Sequence, residues 1–541
     1  MMRRTRWTIS TAAVVLAAAF TSSGTAQDVG ADIVIRGGTV YPGDAAPFRG
    51  DVAIKGDRIV YVGPQAPGPA KRVIDATGLV VAPGFIDPHT HVDNALASSD
   101  PAARLVLPFL TQGVTTAFLG VDGSGDPDMD KTFGRAKIGA EGMMDGFGQS
   151  TRDYGINFAT YVGLGAVRLK VIGPADRAPT AAETAKMTAL VSDAMCAGAL
   201  GLSTGLFYAP QSFARRPEVV ALAKAAAAKG GVYDSHIRDE SSYTIGLKGA
   251  IDEALAFGRE AGIPVHIAHI KALGVDVHGQ AGAIIAQIEA AQKAGQIVHA
   301  DQYPWSASGT GLSAALMPRW AQDGGRAAML KRFDEPATMA KMRAEIADNL
   351  RRRGGPSALL ITSGPSGAEG KTLEAIAKDA GVDPIDAAID ILKQREAGVA
   401  SFNQSEADIA AFIRRPWVVT SSDASQGHPR YYASFARKYA LYVKDKKVID
   451  LQTFIDRSTS TTADMFGLSE RGRLERGAFA DVIAFDPNRF GPRADYTHPT
   501  MLSTGMRFVV VNGQLAIEEG EVTGAAAGRP LPRTPKPGSC P

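Results

Sequence analysis

Cysteine is nearly absent from this sequence: Cys196 and Cys540 are the only two among 541 residues. Two thiols are too few for a disulfide framework, which excludes a small cross-linked scaffold, and both read as structurally neutral. An excess of one charge is also lacking, with 58 Lys and Arg against 56 Asp and Glu. Such a balance provides no field to attract nucleic acid or an anionic membrane surface. Past the N-terminal leader, no apolar run approaches the roughly 20 residues that a bilayer crossing needs. What remains, 45% hydrophobic and 21% charged, is the composition of an ordinary globular protein, excluding disordered, collagenous and coiled-coil chains. Because single cores stop growing near about 250–300 residues, the length suggests one large catalytic domain and a smaller companion.

The leader itself has a basic start, MMRRTRW, an apolar stretch, TISTAAVVLAAAF, and small residues at Gly24 and Ala26. This is the pattern of a cleaved export signal over residues 1–26, which implies a periplasmic or secreted protein. A membrane anchor would need a longer apolar run. The Arg3-Arg4 pair raises twin-arginine export, although the residues after it fit that route poorly. Losing Arg3, Arg4 and Arg6 with the leader turns the net charge from +2 to −1.

Short alternating segments such as DIVIRGGTVY and DVAIKGDRIVYVG follow, and the same rhythm returns near the other end in FVVVNGQLAIEEGEV. They predict that residues 27–82 and 471–530 together form a small β-sandwich. Between them, strand-like runs alternate with Ala-rich helical segments. The runs are FIDPHTHVD, GVTTAFLGV, INFATYVGL, GALGLSTGL, GGVYDSHI, IPVHIAHI, GQIVHADQY and RPWVVTSSD. Eight strands alternating with helices predict an α/β fold, a (β/α)8 TIM-like barrel over residues 83–470. The stretch 305–356 exceeds one barrel helix and reads as a lid insertion.

Barrel chemistry sits at the C-terminal ends of the strands, so the polar residues ending the apolar runs carry the information. His89 and His91 end the first run, two apart and therefore on one strand face. His236 ends the fifth run, His269 the sixth and Asp423 the eighth. Four imidazoles and a carboxylate at one mouth suit a divalent ion of the zinc type with a position left open for water. His266 and His299 lie inside their runs and read as core residues. The odd separation of His266 from His269 predicts that it faces away from the barrel interior. His278, His428 and His498 fall in loops, where a surface or substrate role competes with no role.

PGFIDPHTH, SHIRDES, AHIKALG, SSDA with GHPR, and RGRLERGAFADVIAFDP with VVVNG resemble, in this order, the amidohydrolase superfamily, and within it the N-acyl-D-amino-acid deacylases, or D-aminoacylases. The resemblance spans nearly the whole chain after the leader. It implies the barrel and terminal β-sandwich, and one or two divalent metals, usually zinc, on His89, His91, His236, His269 and Asp423. One position departs from the family pattern. Where these deacylases carry a metal-binding cysteine in a sequence like GNCGFS, this chain has GVDGSG, with Asp122 in its place. Asp122 is expected to be a ligand, its alternative being an Asp-Gly turn. A carboxylate there hardens the site and admits manganese or cobalt beside zinc. Lys170 is a weaker candidate for the carboxylated lysine that bridges two metals elsewhere in the superfamily.

A bound divalent ion lowers the pKa of water to about 7 and polarises a carbonyl, which hydrolyses amides. Asp423 is suited to take the water proton and return it to the leaving nitrogen. Ser203, in GLSTG, lacks the strand-to-helix context of a nucleophile elbow. Lys271 lies two residues past His269, Arg430 follows Asp423, and Tyr208 lies past the fourth strand. Two cations and a phenol favour a substrate carboxylate, and the resemblance implies the same three positions for the α-carboxylate. Arg238 and Asp239 beside His236 either orient ligands or pair with each other. The expected reaction deacylates N-acyl-D-amino acids. Its alternatives are another amide, such as a D-residue dipeptide, an isoaspartyl peptide or a cyclic amide, and a non-catalytic binding protein, which the intact ligand set disfavours.

Overall fold

A computed structural model of the chain describes residues 30–133 and 153–540. The export signal expected at 1–26 lies outside the described residues. Eight parallel strands follow the eight apolar runs: β1 (Phe85–Asp87), β2 (Val114–Leu119), β3 (Asn157–Thr160, continued by Val162–Gly163), β4 (Gly201–Gly205), β5 (Val232–His236), β6 (Val265–Ile267), β7 (Val298–Gln302) and β8 (Val418–Thr420). Each pairs in parallel with the next, apart from the break at Tyr161 inside β3. Just past the ends of β1 and β8, Thr90 and Ala424 form a parallel bridge.

The outward side chains, among them Phe85, Leu202, Tyr233, Ile267 and Val418, share one apolar core with the intervening helices. These helices start and stop where the sequence offers caps. Ala181–Cys196 begins in a capping box, with Thr180 Oγ1 accepting from Glu183 N at 3.2 Å and Glu183 accepting from Thr180 N at 2.8 Å. Gly246–Ala261 ends at Gly262, whose φ of 64° is the left-handed conformation glycine adopts without steric cost.

The two chain ends meet in one nine-stranded sheet. Its seam is the antiparallel pairing of Val80–Pro83 with Val482–Phe485. Asp481 ties this sheet to the barrel, accepting from Asn157 Nδ2 at 3.0 Å and from Asn512 N at 2.8 Å while paired with Arg471.

The insertion after β7 runs further than 305–356. Ala307–Gly311 pairs antiparallel with Gly398–Phe402, which also pairs with Leu359–Ser363. Helices between these strands pack Leu316, Met342, Ile361, Leu373 and Leu392 into a separate core. The two late strands return the chain to where it left the barrel.

Cys196 and Cys540 are not neutral: they form a disulfide across 344 residues of sequence. The tail brings them together. It crosses the barrel with Phe158 N bonded to Arg529 O, Arg533 N to Gly198 O and Lys536 N to Lys229 O. Gly198 and Lys229 precede β4 and β5, so this strap lies at the end of the barrel opposite the predicted ligands.

Candidate metal centre

Backbone bonds at the ends of β1 and β8 hold the first three predicted ligands in register. Asp423 N donates to His89 O at 2.9 Å and His91 N to Ala424 O at 3.0 Å. The Asp87 carboxylate accepts from Ser422 N at 3.1 Å and from His89 N at 3.3 Å. Burial pushes Asp87 up to about 8.

Asp122 stands at the centre. Its carboxylate lies 3.4 Å from His89 Nε2, 3.6 Å from His91 Nε2, 3.5 Å from His236 Nδ1 and 3.5 Å from His269 Nε2. Asp423 Oδ1 is 3.3 Å from His91 Nε2 and 3.9 Å from His89 Nε2. All six predicted ligands therefore converge. The spacing is informative, because ligand atoms at about 2.0–2.2 Å from a tetrahedral ion stand roughly 3.3–3.6 Å from one another. Both ring nitrogens of His89 and of His236 are buried without a hydrogen-bond partner, as is Asp122 Oδ1. Buried polar atoms rarely stay unpaired, so the donor set fits a divalent cation. Three overlapping groups have donor atoms within 4.8 Å of one another: His89, His91 and Asp423; His89, Asp122 and His269; and His236, Glu240 and His269.

Glu240 is the residue the sequence patterns did not single out. It is buried, 3.2 Å from His269 Nδ1 and 3.7 Å from His236 Nε2. Its place four residues after His236 was the available signal. Burial raises its carboxyl, but Lys271, His236 and His269 outweigh that and hold it well below the usual carboxylate range.

The charges are divided. Burial raises Asp122 and Asp423, yet His236 and His89 for the first, and Arg430 and His269 for the second, hold both well below the usual carboxylate range. Burial lowers His89 and His236. Against the same burial, Asp122 and Asp423 push His91 up to about 10, and Asp423, Glu240 and Asp122, outweighing also the Lys271 charge, push His269 to about 10. Asp122, His269 and Asp423 have φ values of 53°, 34° and 48°. Left-handed backbone at non-glycine residues costs energy and gathers at functional sites.

The three substrate-binding candidates reach the same mouth with different engagements. Arg430 Nη1 is 2.7 Å from Asp423 Oδ2, and Nη2 donates to Ser425 Oγ at 2.9 Å. Tyr208 packs on His236 with ring centres 4.7 Å apart, and its hydroxyl is 3.4 Å from Thr310 Oγ1. Lys271 is less free than its position suggested, because Nζ is bonded to Glu240 and lies 2.7 Å from His269 Nδ1. A cleft of about 430 Å³ opens beside these groups, lined by His91, Asp122, Tyr208 and Arg430 and by residues of the insertion.

Other expectations change. His266 faces inward, its Nε2 2.8 Å from Asp301 Oδ2, whose charge acts on His89 and Asp87. Counting alternation as far as His269 failed because β6 ends at Ile267 and His269 is left-handed. Lys170 is exposed on the helix Leu164–Val171, away from the centre. Arg238 and Asp239 do not pair with each other. Arg238 bonds Glu253 at 2.9 Å and the Ser212 and Ala214 carbonyls, and Asp239 accepts backbone N–H groups of Ser241, Thr244 and Gly246. Ser203 Oγ is buried and donates to Gly120 O, as expected of a structural serine. His428 is buried on the cleft wall, His278 bonds Asn403 O at 3.0 Å, and His498 is exposed in a turn.

The likeness to known proteins is extensive. Over 519 residues the chain is 32% identical to the D-aminoacylase of Alcaligenes xylosoxydans xylosoxydans, covering 93% of this chain and 98% of that protein. It is also 32% identical over 498 residues to an N-acyl-D-glutamate deacylase of the same organism, covering 89% and 93%. The crystal structure of N-acyl-D-glutamate deacylase from Bordetella bronchiseptica, complexed with zinc and a phosphonate mimic of the tetrahedral intermediate, superposes with a TM-score of 0.77 at 28% identity, covering 93% of this chain and all of that one. A D-aminoacylase structure gives 0.76 at 31% identity, with the same coverage. The amidohydrolase family model matches residues 72–107 and 158–517, which include His89, His91, His236, His269 and Asp423 but not Asp122, and the chain belongs to the amidohydrolase family.

Proposed function

We propose that this enzyme removes the acyl group from N-acyl-D-amino acids by metal-dependent amide hydrolysis, yielding a D-amino acid and a carboxylate. The observation that supports this most is the Asp122 carboxylate with four imidazole nitrogens within 3.4–3.6 Å, beside Asp423 and Arg430. His89, His91, Asp122, His236, His269 and Asp423 would hold one or two ions, zinc foremost and manganese or cobalt also admitted by the carboxylates. The ion supplies an acidified water and a polarised carbonyl. Asp423 moves the proton, accepting it as water attacks and delivering it to the leaving nitrogen. Arg430 binds the α-carboxylate in exchange for part of its contact with Asp423, which also raises the basicity of Asp423 when substrate arrives. Tyr208, on the cleft between His236 and Thr310, orients the substrate.

The eight strands read as a closed barrel, supported by the Thr90–Ala424 bridge, over residues 83–470, with the two ends of the chain folded as a sandwich (27–82 and 471–530). Export to an oxidising compartment is supported by the Cys196–Cys540 disulfide. The test is turnover of paired N-acetyl-D- and N-acetyl-L-amino acids, with metal content measured on the same preparation. Hydrolysis of the D series with bound metal is expected. Turnover of L substrates alone, or of none, would refute the proposal.

A further inference from the structure

The insertion brings Thr310, Thr362, Ser363 and Glu396 to the cleft beside bare backbone at Gly309, Gly311 and Gly398, and the loop after β8 adds Ser425 and Gln426. Among the described lining residues, Glu396 and Asp122 are the only carboxylates and Arg430 the only Arg or Lys. Glu396 belongs to no role given above.

The strand Ala307–Gly311 sets the distance between Arg430 and Glu396. A Cβ on Gly309 would meet the Arg430 guanidinium at 3.0 Å, and one on Gly311 would meet Glu396 Oε1 at 3.2 Å. Residues two apart on a strand present the same face about 6.6 Å apart. The guanidinium and the carboxylate thus stand at the two ends of one strip of bare backbone. Glu396 Oε1 accepts from Ser313 N at 3.0 Å and from Ala397 N at 3.3 Å, which fixes the carboxylate. Oε2 has Arg326 at 3.9 Å, beyond hydrogen-bond reach, in a half-exposed pair of the kind that contributes little.

We infer that Glu396 reads the substrate side chain, selecting N-acyl-D-amino acids whose side chain ends in a cation and rejecting acidic ones. The inference rests on the function proposed above, in which Arg430 takes the α-carboxylate. With the carboxylate there, a side chain running along Gly309–Gly311 meets Glu396 after about 6 Å, the reach of an extended lysine or ornithine stem. A glutamate side chain would meet a like charge.

The experiment compares kcat/KM of the metal-loaded enzyme for N-acetyl-D-lysine, N-acetyl-D-norleucine and N-acetyl-D-glutamate at low and high salt, in wild type and in Glu396→Gln. Wild type should favour lysine over glutamate by at least about tenfold, a ratio that shrinks with salt because the contact is partly exposed. Glu396→Gln, which keeps an acceptor for Ser313 N, should bring the ratio toward one. Equal use of lysine and glutamate by wild type overturns the inference, and this arm needs no variant to fold. A ratio unmoved in Glu396→Gln overturns it as well. Turnover of norleucine with no charge preference would leave the deacylase reading standing and remove only the role of Glu396, whereas failure on all three substrates would remove both.

Discussion

Asp122 occupies a left-handed backbone position with its carboxylate amid four imidazoles, and the two properties can be separated by substitution. Asn tolerates that backbone and keeps the side-chain acceptor but loses the charge. Asp122→Asn is therefore expected to stay folded while its metal occupancy falls, and an unchanged metal content would reduce Asp122 to a turn former. Asp122→Cys should retain metal and shift preference toward zinc, since thiolate is the softer donor, as read by competition between zinc and manganese. Asp423 is tested by rate. Asp423→Asn should lower kcat by on the order of 10²-fold or more as a positioned proton carrier is lost, with metal content measured in parallel to separate loss of the proton carrier from loss of a ligand. An unchanged kcat would remove it from proton transfer.

At the scale of elements, the strap formed by the tail makes a prediction independent of the chemistry. The Cys196–Cys540 bond closes a very long loop, and disulfides of this kind contribute about 2–4 kcal/mol by constraining the unfolded chain. Cys196→Ser combined with Cys540→Ser should lower the thermal midpoint by several degrees while leaving kcat/KM within about twofold, because the bond lies at the barrel end remote from His89 and Asp423. An unchanged midpoint would show that the backbone bonds of the tail suffice. This bond also marks where the sequence was not legible. Strand ends were, because apolar runs stop where polar ligands begin, and His89 and His91 declare a shared face by their spacing. Pairing of two cysteines 344 residues apart depends on the path of the tail, which no local pattern encodes. Glu240 was missed because it sits in a loop after β5, and His266 was misassigned because alternation holds only while the strand does. The insertion was underestimated because Leu359–Ser363 and Gly398–Phe402 find their partners at long range.

For the molecule as a whole, the proposed metal ligands come from the ends of β1, β2, β5, β6 and β8, so an ion held there would tie together most of the barrel. Without metal the same site balances two protons on His91 and His269, each pushed to about 10, against the Asp122 and Asp423 carboxylates, while burial keeps His89 and His236 neutral. The sign follows from those directions. A raised imidazole stabilises the folded metal-free form fully below its ordinary value near 6.5, and that contribution is lost as pH rises through about 10. A divalent ion must displace these protons, since only neutral imidazole is a ligand. Exchange of two protons for one doubly charged ion leaves the net charge of the site unaltered, which is why so buried a cluster can hold either. Chelation should therefore abolish hydrolysis and lower the midpoint, re-addition of zinc, manganese or cobalt should restore both, and metal affinity should rise steadily with pH between about 6.5 and 10. Zinc titrated into the chelator-treated protein in weak buffer at pH 7.5 should release about two protons per ion bound, since both imidazoles are protonated at that pH. Binding with no proton release would show that His91 and His269 are already neutral in the metal-free protein.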